Sequence, residues 1–377
     1  MPSRRRIAVL TTGRQDYGLL RSSIRALAAC DDWEVRVWAG GTHLLASFGS
    51  TIDDVLADGV EVHRRLPFGS DTSDPARDAS RAVAEVSDAI RAEAPWALLL
   101  AGDRTETLAA ALAATLEVVP IAHLHGGEES EGAIDNACRH AITKLAHLHL
   151  VSHEVHARRV RQMGEAPDDV IVVGAPGVDN ASRSDLPDRA QLERELEFGL
   201  DGSVVLVTVH PATLAADPMA DVIAVTTAAS RVGARYVVTL PNADQGGQQI
   251  AAHLRSWAAG RENVLVRESL GERRYWGLLR VASAVLGNSS SGIIEAPSIG
   301  VPVVNVGERQ RGRLRFGPVR DVAADAVEVE AALRAALAQG RATPSLDLPS
   351  GAGARVEAAL RAWSPTRPPR KAFRDLP

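Results

Sequence analysis

The chain has 377 residues, 45% hydrophobic and 24% charged, with 42 Lys and Arg against 47 Asp and Glu, a formal net charge of −5. At roughly 150 residues per domain it is long enough for two domains, each with its own core. The acidic balance argues against a nucleic-acid binder, and no run of about 18 apolar residues offers a membrane span. The apolar run at 7–10, behind a basic start, is too short for a signal-peptide core and reads as a first strand. The two cysteines, Cys30 and Cys138, fall in segments read as helical. Without a disulfide framework or a metal pattern, a reducing cytoplasm is the expected compartment.

In chain order, short apolar runs predict strands at 7–12, 35–39, 97–101, 118–123, 148–152 and 171–173. A second series follows at 204–209, 236–240, 263–266, 284–286 and 301–306. Ala-rich stretches at 78–92, 105–116 and 218–231 predict helices, with Pro218 suited to a first turn, where its missing N–H costs nothing. Continuous rather than alternating apolar runs suggest parallel strands covered on both faces. Repeated strand–helix units suggest a doubly wound α/β fold. The two series part at 173–201, where Pro176, Pro187 and Asp201-Gly202 mark a linker. The expected organisation is a Rossmann-like domain over 1–173, a second over 174–351, and a C-terminal helix and tail over 352–377 packing back on the first. Two such domains facing a cleft would bring their C-terminal strand ends to it, where ligands bind in open α/β sheets.

The polar residues just after the strands therefore carry the chemistry. Gly13–Gly18 (GRQDYG) follows the first strand; a Gly turn lets backbone approach a ligand, and Arg14 can pair with phosphate or sit on a plain turn. It is not the GxGxxG dinucleotide fingerprint. Asp103 and Arg104 close another strand, where Asp103 suits either acid–base work or capping of the next helix. The densest cluster runs from His123 through Glu128 on a Gly-Gly loop to Asp135, Arg139 and His140, which open a helix. Asp103, Glu128 and Asp135 can converge, and mutual repulsion with partial burial would suit proton transfer near neutral pH. His123 and His125 alternate on a strand and so share a face, but the spacing matches no zinc pattern. His210 ends the first strand of the second series. In GNSSSGIIE (287–295), Gly and hydroxyl residues at a helix start leave N–H groups for phosphate, while Glu295 can accept from ribose hydroxyls. No Lys follows, so this is no Walker A loop. Arg309, Arg311 and Arg313 on a later loop can close over an anion.

Taken together, GRQDYG (13–18), GTHL (41–44), GDRTE (102–106), HGGEESEGAID (125–135), RHAITKLAHLHLVS (139–152), VHP (209–211), PNAD (241–244), GNSSSGIIE (287–295) and GERQRGR (307–313) span nearly the whole chain in order. The set resembles the hydrolysing branch of the UDP-N-acetylglucosamine 2-epimerase family, which feeds sialic and legionaminic acid synthesis. The resemblance implies a two-domain fold of the glycosyltransferase-B type. It also implies release of UDP from UDP-N-acetylglucosamine with inversion at C2, giving free N-acetylmannosamine. The steps would be proton removal at C2, anti elimination of UDP, and water addition to the glycal. By the same resemblance Asp103, Glu128, Asp135 and His210 are catalytic. Arg14, Arg104, Ser289, Ser290, Glu295 and Arg309 line the nucleotide, joined from the same segments by His43, Arg139, Asn242, Ser291 and Gly292. No cofactor and no metal is expected, and the partners are the nucleotide sugar and further copies of the chain, as a dimer or tetramer. Asn136 stands after Asp135 where relatives often have an acid, and Gly18 where some carry a hydroxyl. These departures leave room for a UDP-2,4-diacetamido-2,4,6-trideoxy sugar or a GDP-sugar as substrate. A glycosyltransferase of the same architecture would need an acceptor site, and no membrane-facing patch is visible in the first domain. A silent sugar-nucleotide binder would not need all three carboxylates.

Overall fold

The computed structural model describes residues 4–70, 74–241, 246–344, 348–372 and 374–375. They divide into two compact units: one made of residues up to Glu128, Asp135–Asn180 and Leu348 onward, the other of Glu129–Ile134 and Ala181–Asp347.

The first unit is built on a seven-stranded parallel sheet of β1 (Arg5–Thr11), β2 (Trp33–Gly40), β3 (Val62–Leu66), β4 (Ala97–Ala101), β5 (Ile121–Leu124), β6 (Leu148–Val151) and β7 (Val170–Val172), in the order β3-β2-β1-β4-β5-β6-β7. Alternate residues feed two cores. Ile7, Val9, Leu99 and Leu124 pack on one face, and Ala8, Leu10, Leu98, Leu100 and Ile121 on the other. Because both faces are covered, the strands read as unbroken apolar runs. The helices are α1 (Arg14–Ala28), α2 (Ile52–Ala57), α3 (Pro75–Glu93), α4 (Thr105–Leu116), α5 (Asp135–Leu145) and α6 (Glu154–Gln162). In α3, Pro75 sits in the first turn and the Asp74 side chain accepts from Arg77 N, which sets the start.

The second unit holds a six-stranded parallel sheet of β8 (Val204–Thr208), β9 (Arg235–Thr239), β10 (Val264–Arg267), β11 (Ala284–Gly287), β12 (Val303–Val306) and β13 (Val319–Val322), ordered β10-β9-β8-β11-β12-β13. Its helices are α7 (Arg189–Leu196), α8 (Ala220–Ala229), α9 (Gly247–Ala258), α10 (Gly271–Val281), α11 (Glu295–Ser298) and α12 (Ala326–Gln339). Val205 and Val207 face one core; Val204 and Leu206 face the other. A last helix, α13 (Ala352–Ala362), belongs to the first unit. The Asp179 carboxylate accepts from the N–H groups of Gly351, Ala352 and Gly353 at 2.6, 3.2 and 2.8 Å. A Cβ on Gly353 would lie 2.6 Å from the Ser22 backbone, so only glycine lets α13 sit this close to α1.

Strand order reverses between β1 and β4 in one unit and between β8 and β11 in the other. Those are the points where an open α/β sheet receives a ligand. Several sequence expectations need correction. β3 (VHRRL) and β13 (VRDV) carry too much charge to read as strands; both lie at sheet edges, where one flank meets solvent. The strand expected from 118 begins at Ile121, because Val118 is left-handed at φ 57° and Pro120 offers no N–H. The stretch 173–201 is not an open linker: it contains a 3-10 segment, Pro176–Ser182, and α7, whose start is a capping box of Asp188 with Gln191. Helix α8 begins at Ala220 rather than at Pro218, with Met219 N donating to Asp217. Cys30 lies in the turn beyond α1, while Cys138 is helical. Among the described residues no helix is long and apolar enough to cross a membrane.

Candidate active site

In the first unit, the loop after β1 is closed by Asp16. Its carboxylate accepts from Thr12 N and Thr12 Oγ1 at 2.7 Å and from Gly13 N and Thr11 Oγ1 at 2.9 Å. Thr11 uses its only hydroxyl hydrogen on Asp16, so it must accept from His43 Nε2 at 2.9 Å. His43 Nδ1 then accepts from Thr51 Oγ1 at 2.8 Å. Burial pushes the His43 pKa down, consistent with a neutral ring. His43 is thus placed beneath the loop that carries Arg14, with both ring nitrogens engaged. Arg14 is half-buried at the start of α1.

After β4, Gly102 turns the chain at φ 80° and presents Asp103. Capping is not the role of Asp103: the N-cap of α4 is Arg104, which makes no side-chain cap bond and pairs with Glu106 at 3.3 Å. Asp103 instead forms an ion pair with Arg139, whose side chain is 1% exposed. The same guanidinium donates to the Glu128 carbonyl oxygen at 2.9 Å and so ties two of the expected carboxylate positions together. Behind Gly102, His123 Nε2 donates to the Gly102 carbonyl at 2.7 Å. Burial pushes the His123 pKa down to about 3.

The alternation that put His123 and His125 on one strand face stops at Leu124. His125 has left the strand at φ 66°, and Gly127 follows at φ 74°. The turn brings His125 Nδ1 to Glu128 Oε1 at 2.7 Å, where Ser152 Oγ also donates at 2.8 Å. Glu128 is buried. A Cβ on Gly127 would meet the His156 carbonyl oxygen at 2.4 Å, so the loop packs directly on α6. Asp135 is half-buried at the first position of α5, four residues before Arg139 and on the same helix face.

In the second unit, the loops after β8 and β11 are clasped by buried Asn288. Its Oδ1 accepts from His210 N at 2.7 Å, while Nδ2 donates to the His210 carbonyl at 2.9 Å and to Asp221 Oδ2 at 2.8 Å. Burial pushes the Asp221 pKa up. Arg309 reaches back to the carbonyls of Pro211 and Asn288, both at 3.2 Å, and Gln310 Nε2 donates to the Asn288 carbonyl at 2.9 Å. Ser289 caps the next turn through Ser291 N at 3.4 Å, and Tyr275 donates to Ser291 Oγ at 2.6 Å. The helix expected from this run is only a 3-10 turn, Ser290–Gly292, followed by the four-residue α11 that Glu295 opens. A helix dipole is therefore a weak attraction here, and hydroxyls and loop N–H groups are the donors that matter. Glu129–Ile134 lies along the Arg309–Arg313 loop: Glu131 N donates to the Arg311 carbonyl at 3.0 Å and Ile134 N to Thr213 Oγ1 at 3.1 Å. A Cβ on Gly132 would lie 2.6 Å from the Glu308 carbonyl oxygen. Asn242 lies outside the described residues. No group of three or more His, Cys, Asp or Glu among the described residues is placed to hold a metal ion.

Residues 25–354 match the family described as UDP-N-acetylglucosamine 2-epimerase. The chain belongs to that family. It is 34% identical over 322 residues to the UDP-N,N'-diacetylbacillosamine 2-epimerase (hydrolyzing) of Legionella pneumophila, covering 84% of this chain and 85% of that one. It is 32% identical over 325 residues to the GDP/UDP-N,N'-diacetylbacillosamine 2-epimerase (hydrolyzing) of Campylobacter jejuni, covering 85% and 84%. These relatives put it on the hydrolysing branch of the family, as an enzyme. The crystal structure of UDP-GlcNAc 2-epimerase from Neisseria meningitidis bound to UDP-GlcNAc shares the fold, with a TM-score of 0.78 at 16% identity over 94% of this chain and 100% of that one.

The first unit gathers carboxylates around a buried arginine, and the second, taken by itself, gathers neutral and cationic donors. Asp103, Glu128 and Arg139 are drawn into one bonded group, with Asp135 one helical turn away. His210, Asn288 and Arg309 form another. Sequence reasoning missed His125 as the partner of Glu128, along with Ser152, His156 and Asn288. Only Asn288 left a trace, as the one amide in a run of small residues after a strand.

Proposed function

We propose that this epimerase takes UDP-N-acetylglucosamine and releases UDP and N-acetylmannosamine. The C2 proton moves to a carboxylate, the C2–H electron pair becomes the C1=C2 double bond, and the C1–O pair leaves with the β-phosphate oxygen. Water then adds its oxygen to C1, and C2 takes a proton on the opposite face, which inverts it. The two proton transfers need groups within hydrogen-bond reach, and we assign them to Asp103, Glu128 and Asp135, with His210 serving the leaving diphosphate. Arg14, Arg104, Arg309 and the Ser289–Gly292 turn would take the charge that builds on the diphosphate as the anomeric bond breaks. Glu295 would take the ribose, and His43 would act by holding the Arg14 loop.

The observation that carries this reading is Glu128, a buried carboxylate raised on a left-handed His–Gly-Gly turn, with Arg139 joining its backbone to Asp103. Burying an acid costs stability unless its charge is used or compensated, and a surface loop needs no such group. A second substrate, a UDP-2,4-diacetamido-2,4,6-trideoxy sugar, is favoured by the names of the relatives at 32% and 34% identity. The unpaired thiols of Cys30 and Cys138 support a reducing, cytoplasmic location. Incubation with each nucleotide sugar in D2O is the test. Equal amounts of UDP and a free mannosamine-type sugar bearing deuterium at C2 are expected. Release of UDP only with an added acceptor, or binding without turnover, would overturn the proposal.

A further inference from the structure

The bonds on Glu128 continue away from the reacting groups. Ser152 gives its single hydroxyl hydrogen to Glu128 Oε1 at 2.8 Å. In the 2.9 Å contact between Ser152 Oγ and His156 Nδ1, the imidazole must therefore be the donor. This sets His156 in its Nδ1–H form and completes a directed chain, His156 to Ser152 to Glu128. The chain has almost no access to water: His125 is 3% exposed, Glu128 2%, Ser152 4% and His156 2%. Ser152 follows β6 and His156 lies in the first turn of α6, and neither is assigned a role above.

Docking of α6 on the loop does not need this chain. Arg159 Nη1 already donates to the Gly127 carbonyl at 3.2 Å, and Gly127 packs against the His156 backbone without a side chain. What the chain adds is a second donor on the same carboxylate oxygen that His125 already holds. Donors to a carboxylate favour its ionised form, and a donor that is itself hydrogen-bonded is polarised and strengthened.

We propose that Ser152 and His156 are positioning residues that fix Glu128 Oε1 and keep this carboxylate ionised until it takes a proton. The proposal rests on the reading of Glu128 as a proton-transfer group. Neither residue touches the reacting atoms; both act through Glu128. Charged or titratable groups around Glu128 and this chain include His125 from its own loop, His123 from β5, Arg139 from α5 with Asp103 behind it, Arg159 from α6, and His153, which caps α6 and meets the His156 ring. All of them stay in place in the variants below.

Two measurements test this, and the first needs no turnover. With 13C-labelled glutamate, the Glu128 carboxyl signal is assigned by its loss in Glu128→Gln and titrated in the full chain. In Ser152→Ala and His156→Phe the midpoint should move up by about one to two pH units, as expected for losing a bond to a charged group. His156→Asn, which returns an amide donor near the Nδ1 position, should restore it. The second measurement is the pH profile of turnover. In Ser152→Ala the limb that reports Glu128 should shift upward by the same amount, with kcat falling and KM little changed. An unmoved Glu128 midpoint in Ser152→Ala overturns the proposal, whatever the activity. If the unaltered enzyme turns over no nucleotide sugar, the functional reading falls, and the titration still decides the role of Ser152. Should His156→Phe not fold, Ser152→Ala, which removes one oxygen, is enough to decide.

Discussion

Acid should loosen the first unit, and His123 is the clearest source. Its ring is fully buried, its Nε2–H is committed to the Gly102 carbonyl at 2.7 Å, and its Nδ1 has no partner among the described residues. Burial pushes its pKa from 6.5 down to about 3. The unfolded chain therefore takes up a proton near pH 6.5, and the folded chain refuses it until about pH 3. The stabilising contribution is complete above the unfolded value and is lost as pH falls through that window, at about 1.4 kcal/mol per pH unit. By pH 5 the loss from His123 alone is about 2 kcal/mol. His147, pushed down to about 4 by burial, and buried His149, also lowered, act in the same direction. Glu165, held at about 2 by His149, Lys144 and Lys371 despite its burial, starts to lose its contribution only below its unfolded value, so it adds little at pH 5. Hydrogen exchange of the β4 and β5 amides, followed from pH 7 to pH 5 and corrected for intrinsic rates, reads this unit alone. In His123→Gln the amide can still donate to Gly102 but does not titrate. The loss over that interval should shrink by about 2 kcal/mol. Parallel pH dependence in the two proteins would refute the reasoning. The turn at stake holds Asp103, so the same titration should erode activity on the acid side.

Asp103→Asn and Glu128→Gln should each abolish turnover while calorimetry finds UDP affinity nearly intact; a large loss of UDP binding would contradict their assignment to proton transfer. Ser290→Ala or Arg309→Ala should weaken UDP binding by about 1–3 kcal/mol, since charge-assisted bonds are lost. The loss should be larger for Arg309, which also braces the Asn288 loop through its 3.2 Å bonds; affinity unchanged from the unaltered enzyme in both variants would move the diphosphate elsewhere. In Gly127→Ala the added Cβ meets the His156 carbonyl at 2.4 Å and the φ of 74° is strained. Displacement of Glu128 by about 1 Å should cost on the order of 100-fold in kcat with circular dichroism unchanged, and full activity would show that the loop tolerates movement.

Legibility followed distance along the chain. The inner strands could be read because alternate residues such as Ile7 and Ala8 feed opposite cores and leave no polar gap. β3 and β13 could not, since an edge position tolerates the charges of VHRRL and VRDV. Asp188 and Gln191 form a capping box at standard spacing, a local signal that the neighbouring prolines masked. The candidate site divides the same way. Glu128 stood out because two glycines precede it, and the Ser289–Gly292 turn because small residues follow a strand. The partners that govern those groups are remote: Arg139 is 36 residues from Asp103, Ser152 is 24 from Glu128, and Asn288 is 78 from His210. His125 is near in sequence to Glu128 but came within reach only because one non-glycine residue adopts φ 66°, which no periodicity announces. A motif thus names which atoms can carry a proton. Whether a given carboxylate gives or takes it depends on the donors around it, and those are assembled by the fold.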